Sequence, residues 1–320
     1  MLSGRGPGNA APRFSVITPL YNKAPHVEAT IRSALSQSRP PEEIIVIDDG
    51  STDGGLEIVR AIQDERVRIL TRSPPGPGGY AARNLGIRAA KGDWVAFLDA
   101  DDLWSDRHLE GLSTAITDCP ETVGCAFSRF EIVEEAGRRP YRHSNRLVPG
   151  RALPLELLIQ AWLDTERCPV WTGATAIRTD LLVDAGLFPE DGARRGGDKD
   201  MWLRALALSE AVFVEHSSAE FHQDTVNRVT RSTRHSNVPV IVSTIAELLD
   251  GVTPEQRSLL KRLSNQEVVL YARHSAGNGV PFGAEFFRAL YAPRLRDSIR
   301  MAGYWIAAQV MRLRKRIGAS

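Results

Sequence analysis

Several things are scarce in this 320-residue chain, and each scarcity narrows the field. No run approaches the roughly 20 apolar residues that a membrane-spanning helix needs. The opening residues, MLSGRGPGNAAPRF, lack the apolar stretch of a secretory signal, so none is expected. Cysteine is rare: Cys119, Cys125 and Cys168 are odd in number and lack metal-type spacing. That usage fits a reduced, cytoplasmic setting better than a disulfide framework. Charge of one sign is not in excess, because 40 Lys+Arg face 39 Asp+Glu for a net of +1. A whole-chain nucleic-acid binder should look basic, so nucleic acid is not an expected partner.

What remains is ordinary globular composition, with 42% hydrophobic and 25% charged residues. At roughly 100–200 residues per domain, the length allows one large domain or two modest ones. Residues 1–12, rich in Gly, Pro and Ala, read as a flexible tail. From residue 14 short apolar runs alternate with amphipathic stretches. FSVIT, EIIVID, VRIL and WVAFLD read as strands, separated by helices over 25–37, 53–63 and 79–90 and followed by one from about 105 to 117. This alternation predicts an α/β fold with a mostly parallel sheet flanked by helices on both faces.

After residue 120 the pattern is less regular. Residues 122–134, 172–178 and 211–215 read as strands, with a polar hairpin or loop near 135–150 and helices over 153–163 and 199–209. From about 237 only helix-like segments occur, near 237–250, 254–274 and 297–316, so a boundary near 230 is expected. The implied organisation is a domain over 13–230, in halves 13–118 and 119–230, with a helical C-terminal region over 231–320.

In parallel sheets ligands bind beyond the carboxyl ends of the strands. Three strands end there in distinctive residues: Thr18-Pro19-Leu20-Tyr21-Asn22, Asp48-Asp49-Gly50-Ser51-Thr52-Asp53, and Asp99-Ala100-Asp101-Asp102. In extended backbone, Asp99 and Asp101 face the same side. Two like charges so close conflict, and a hard divalent cation resolves the conflict. Oxygen ligands suit Mg²⁺ or Mn²⁺, ions that commonly share their coordination with substrate phosphates. The alternative is that Asp101 and Asp102 cap the next helix. DDGSTDGG also reads as turn chemistry, with Ser51 and Asp53 structural and Asp48 better placed to accept from a base or ribose.

The ordered runs TPLYNK, IIVIDDGSTDGG and GGYAARNLGIRAAKGDWVAFLDADD resemble the nucleotide-sugar-binding half of family-2 glycosyltransferases with the GT-A fold. The likeness covers about 14–106 and continues more weakly to about 230. It implies that Pro19, Tyr21, Asn22 and Asp48 cradle the nucleotide, with Tyr21 near the base and Asp49 at the ribose. It implies that Asp99, Ala100 and Asp101 form the Asp-x-Asp segment that holds the diphosphate through a divalent metal. Arg83 is then a diphosphate partner, against a competing role on an exposed helix face. Asn84 is expected to fix a loop or helix contact.

Members of the family carry an acidic general base in a motif similar to Glu-Asp-x-Asp-Leu-Trp. Here the chain reads Gly197-Asp198-Lys199-Asp200-Met201-Trp202. Asp198 matches the base, and Gly197 stands where the family has Glu. The alternative for Asp198 is a helix cap, and Asp200 reads as structural. The resemblance places a third metal ligand near Phe221-His222-Gln223-Asp224, and leaves either His222 or Asp224 as that ligand. Trp171, beside Thr172 and Gly173, matches the sugar and acceptor pocket, with a core role equally open. The segment 73–79, SPPGPGG, is a candidate mobile loop over the donor. It lacks the Lys-Ser/Thr ending of a P-loop, which disfavours a nucleoside triphosphatase.

The expected function is inverting transfer from a nucleotide-diphosphate sugar, such as a UDP-sugar, to a saccharide, lipid-linked or protein acceptor in cell-surface glycan biosynthesis. A sugar nucleotidyltransferase and a non-catalytic nucleotide-sugar-binding protein are the alternatives. Near the C-terminus Arg288, Arg294, Arg296, Arg300, Arg312, Arg314, Lys315 and Arg316 outnumber acids, and apolar residues interleave at helical spacing. Such a helix can lie on the inner face of an anionic membrane as a peripheral contact, or it can pack on the protein with a solvated basic tail.

Overall fold

The computed structural model describes residues 11–74, 79–190, 196–226 and 237–317. Most of the expected tail and most of the 73–79 loop lie outside the described residues.

One mixed sheet organises the chain. Strands β1 (Phe14–Leu20), β2 (Glu43–Asp48), β3 (Val67–Thr71) and β4 (Trp94–Phe97) pair in parallel in the order β3-β2-β1-β4. Beyond β4 the sheet continues through β9 (Thr175–Arg178), β6 (Val123–Glu134), β10 (Glu210–His222) and β5 (Leu103–Trp104). The pairs β4–β9, β9–β6 and β10–β5 are antiparallel, while β6–β10 is parallel. Short strands β7 (Gly137–Pro140) and β8 (Ala152–Leu153) pair with β6 and β10. The parallel expectation thus describes the first half, and the second half is mixed.

The helices are α1 (Ala24–Leu35), α2 (Gly55–Arg60), α3 (Tyr80–Ala89), α4 (His108–Thr117), α5 (Leu155–Thr165), α6 (Thr179–Asp184), α7 (Gly197–Leu208), α8 (Ile241–Leu248), α9 (Pro254–Gly277), α10 (Ala284–Arg288) and α11 (Leu295–Ile317). Each central strand feeds two cores, because successive side chains point to opposite faces. Ile17, Ile45, Ile47 and Phe97 pack with Ile87, Trp162 and Trp202. Val16, Ile44, Val46 and Ala96 pack with Ile31, Val59 and Leu112. Helices α1, α2 and α4 thus cover one face, and α3 with α5 to α9 cover the other. Each fully buried aliphatic side chain stabilises this arrangement by roughly 1.5–3 kcal/mol.

Ile241, Ile245, Leu260 and Leu263 belong to the same core as α3 and α7, so the C-terminal helices share the interior of the sheet domain. A third cluster joins Val268, Tyr271, Phe282, Phe286, Met301 and Ala308, which seats α10 and α11 on α9.

Two expectations shift. The helix expected from about 105 starts at His108, and Asp102 leads into β5 instead of capping a helix. The strand expected over 211–215 runs to His222. Its register slips between Val214 and Ala219, where Glu215 and His216 are exposed, so the hydrophobic signal breaks inside a continuous strand.

Candidate active site

Parallel register brings Leu20 opposite Asp48, and the Asp49 amide donates to the Leu20 carbonyl at 2.9 Å. The Leu98 amide donates to Ile17 at 3.0 Å, so the segment after β4 leaves from the same sheet edge. The three distinctive strand ends therefore share one edge of the sheet, the edge where open α/β sheets take ligands.

The β1 and β2 ends are locked by their turns. The buried Asp48 carboxylate accepts from the Ser51 amide at 3.1 Å. Asp49 pairs with Arg72 at 2.7 Å. Asn22 takes a left-handed backbone, φ 51°, and its side-chain oxygen accepts from the Thr52 amide at 2.8 Å. Asp53 accepts from the Ala24 amide at 2.8 Å and Gly55 at 3.0 Å, a structural role that matches the sequence reading. Tyr21 remains 54% exposed at the end of β1, two residues beyond Pro19.

The carboxylates after β4 meet cations of the chain itself. Asp99 accepts a hydrogen bond from Arg83, whose guanidinium is buried and lies 5.8 Å from the Phe188 ring centre. An exposed helix face is thus excluded for Arg83. Burial opposes the Arg83 charge, but Asp99, with help from Tyr80 and Asp198, holds its pKa above the ordinary value. Its Nε is buried and meets no acceptor among the described residues. Asp101 pairs with Lys23, which also donates to the Val226 carbonyl at 2.6 Å. The Thr225 hydroxyl donates to the same Asp101 oxygen. Asp102 is fully enclosed and accepts from the His222 amide at 2.8 Å. Burial, then the charges of Asp101 and Asp99, pushes its carboxyl well up from the usual range.

Asp198 stands in the first turn of α7, where its charge acts on Arg83 and Tyr80. The Gly197 amide donates to the Tyr80 hydroxyl at 3.0 Å, and Tyr80 stacks on Phe188 with ring centres 5.8 Å apart. A Cβ at Gly197 would come within 2.8 Å of Pro189 and 2.9 Å of the Tyr80 ring. A side chain at this position, where the resemblance places Glu, would have to displace Tyr80 or Pro189. Asp200 is buried against Thr244 and Arg204, a structural role. Lys199 pairs at 2.8 Å with the fully buried Glu267 of α9, which fixes the first turn of α7 from behind.

His222 places its ring Nε2 at 3.1 Å from Glu220, and Asp224 accepts from the Glu135 amide. Among the described residues no three His, Cys, Asp or Glu side chains are arranged to hold a metal ion. Asp99 and Asp101 lie in a turn, closed by the Asp102 amide on the Asp99 carbonyl at 3.0 Å, and not in the extended backbone expected from sequence. Asp99, with 31% of its side chain exposed, and Asp101 still offer hard oxygen donors two residues apart. That pair fits Mg²⁺ or Mn²⁺, which commonly keep waters and phosphate oxygens as their other ligands. Trp171 is half-buried in an aromatic cluster, 4.6 Å from Phe130 and 5.0 Å from Phe221 between ring centres. Asn84 bridges to the Phe188 backbone at 2.8 and 2.9 Å, the loop contact read from sequence. Sequence reasoning passed over Lys23, Arg72, Tyr80 and Thr225. Lys23 stood inside the quoted TPLYNK run, but nothing local announced its partner.

Comparison with known proteins settles the family. The profile of "Glycosyl transferase family 2" matches residues 15–184, more than half of the chain. The chain belongs to that family. GlyG, a glycosyltransferase of Streptococcus pneumoniae serotype 4, is 39% identical over 210 residues, covering 63% of this chain and 67% of its own. TuaG of Bacillus subtilis, named for teichuronic acid biosynthesis, is 42% identical over 104 residues. That match spans 32% of this chain and only 41% of TuaG. Among solved structures, Staphylococcus aureus TarS 1-349 with UDP-GlcNAc aligns at a TM-score of 0.68 and 17% identity, covering 95% of this chain and 92% of that one. The mannosyltransferase PcManGT of Pyrobaculum calidifontis, solved with GDP-Man and Mn²⁺, aligns at 0.56 and 21% identity, covering 95% and 88%. These glycosyltransferase neighbours share the GT-A fold. The family-2 match contains Asp48, Asp49, Arg83, Asp99, Asp101 and Trp171, while Asp198, His222 and Asp224 lie beyond it.

Proposed function

We propose that this family-2 protein moves a sugar from a nucleotide-diphosphate sugar, a UDP-sugar by preference, to an acceptor hydroxyl with inversion, in cell-surface glycan biosynthesis. One observation carries the reading: Asp48, Asp99 and Asp101 share one sheet edge, and Asp198 of a distant helix lies within electrostatic reach of Arg83 beside them. The names of TuaG and of the TarS complex with UDP-GlcNAc support the donor class and the setting. The acceptor class spans saccharides, lipid-linked saccharides and proteins. The three free, buried thiols fit a cytoplasmic site of action.

In this reading Tyr21 offers its ring to the base, while Pro19 and Asn22 shape the wall that Asp48 and Asp49 complete. Arg83 turns its unpartnered Nε toward a diphosphate oxygen. Asp99 and Asp101 would hold Mn²⁺ or Mg²⁺, which supplies Lewis-acid neutralisation of the departing diphosphate. Asp198 takes the proton of the attacking hydroxyl from its place in the first turn of α7. Proton transfer to Asp198 and bond breaking at the anomeric carbon occur on opposite sides of one centre, so a single displacement inverts it.

The test is product formation from a panel of nucleotide sugars with and without Mn²⁺, followed by the NMR coupling of the new anomeric proton. A retained configuration overturns the inverting reading. A second reading, a non-catalytic nucleotide-sugar-binding protein, draws on Gly197 and on the cations already paired with Asp99 and Asp101. Donor binding without turnover, across donors and acceptors, would support it.

A further inference from the structure

Helix α11 turns one face inward and leaves a second apolar face outside. Met301 and Ala308 are fully buried against α9 and α10. Leu295, Ile299, Ile306, Val310 and Leu313 recur at three-, four- and seven-residue spacing on the opposite side, and stand 43–77% exposed. Over a 23-residue helix of about 34 Å, this is a continuous stripe and not a scatter of single residues. No helix of the described residues is long and apolar enough to cross a membrane.

The margins of the stripe are basic and aromatic. By the 3.6-residue period Arg296 and Arg314 fall along one margin, with Trp305 and Arg312 along the other. The helix carries six basic residues against one acid, Asp297. Beside it a cavity of about 360 Å³ opens between α9 and α11. Lys261, Arg262, Arg273, Arg294, Arg296 and Arg300 line it, against the acids Glu166 and Asp297. Glu166 lies 4.0 Å from Arg300, and Asp297 lies 3.5 Å from Arg296. Arg262, Arg273 and Arg294 have no carboxylate partner among the described residues. Arg296 and Arg300 stand on the flank that joins the cavity to the stripe.

We propose that α11 is an interfacial helix that docks the protein on an anionic phospholipid bilayer. Leu295, Ile299, Ile306, Val310 and Leu313 enter the acyl boundary. Trp305 sits at headgroup level, and the basic cavity receives lipid phosphates. Exposed apolar surface flanked by cations is what such a surface selects, since burial and attraction to anionic lipid act together. A second copy of the chain fits less well, because joining two such faces sets like charges along both margins. The inference stands apart from the sugar-transfer reading.

The full chain is sedimented with vesicles of equal parts phosphatidylglycerol and phosphatidylcholine, and with pure phosphatidylcholine vesicles. Binding to the anionic vesicles, weakened by salt, is the expected result. The pair Ile306→Ser with Leu313→Ser, both exposed, should keep the parent melting temperature and lower vesicle affinity at least about tenfold. Arg262→Gln with Arg294→Gln should also weaken binding, by about fivefold or more. Equal binding to both vesicles, or parent-like binding by the serine pair, overturns the proposal. So does a rise in melting temperature with soluble glycerophosphate that no vesicle binding accompanies, which would assign the cavity to a soluble anion. Dimerisation lost in the serine pair without any vesicle binding would assign the stripe to self-association. Donor turnover in detergent-free buffer should be the same for all these variants, so failure of the enzyme reading would be seen separately.

Discussion

Arg83 reaches Asp99 from a buried seat over the Phe188 ring, and the two form an ion pair that links α3 to the segment just after β4. A charge enclosed to that degree depends on its partner. Asp99→Ala should therefore cost about 3 kcal/mol in chemical denaturation, because it leaves the guanidinium buried and unpaired. Arg83→Met with Asp99→Asn removes both charges and should recover most of that loss. The double variant should still fail to bind a nucleotide sugar in calorimetry. Recovery of stability without recovery of binding separates the structural duty of the pair from its contact with donor. If the double variant binds donor as the parent does, neither residue touches the diphosphate.

Asp198→Asn should leave folding and donor affinity near the parent and lower transfer by about 10²–10⁴-fold. The amide keeps the shape of the carboxylate at the start of α7 but cannot accept the acceptor proton. Steady-state transfer beside equilibrium donor binding decides the matter. A parallel fall in both measurements would reduce Asp198 to a helix-terminal residue.

How much of this site could be read beforehand depends on the distance over which each contact acts. Strands β1, β2 and β4 were legible because both their faces are buried, which leaves nearly continuous apolar runs, while β3, half-buried at the sheet edge, was legible from Val67, Ile69 and Leu70 alone. Strands β5 and β8 have two residues each and carry no periodic signal. The acids at the strand ends were visible as residues, but their partners were not. Lys23 meets Asp101 across 78 positions, and Lys199 meets Glu267 across 68. Pairs that remote leave no local signature. Gly197 looked like a departure in the sequence, and only the Tyr80 ring beside it supplies the reason.

That reason gives a third prediction. Gly197→Ala should destabilise by about 1–3 kcal/mol, since a methyl group there overlaps Tyr80 and Pro189. Gly197→Glu, which would supply the Glu that the resemblance places there, should be worse. Tyr80→Ala with Gly197→Ala should be less than additive, because the smaller residue at 80 vacates the space. Thermal unfolding of the three variants tests this, and a stable, active Gly197→Glu protein would show that Tyr80 and Pro189 move aside at this point.

Acid sensitivity follows from two buried histidines. Burial lowers His108 to about 3, where it stacks on Trp104 and meets Ser218 at 2.8 Å. Burial likewise lowers His143 to about 4. Both are neutral in the folded chain, while the unfolded chain protonates them near 6.5. Between those values the unfolded state binds more protons, so stability is complete above about pH 6.5 and falls as the pH drops toward 4. Each histidine contributes at most about 1.4 kcal/mol per pH unit over that window. His143→Phe should flatten the acid limb of a stability–pH curve measured in urea. His143 packs between Phe130, Tyr141 and Phe213, an aromatic setting that can receive the added ring. An unchanged acid limb in this variant would mean that His143 is protonated as readily in the folded chain as in the unfolded one, and that the enclosure around it opens to water.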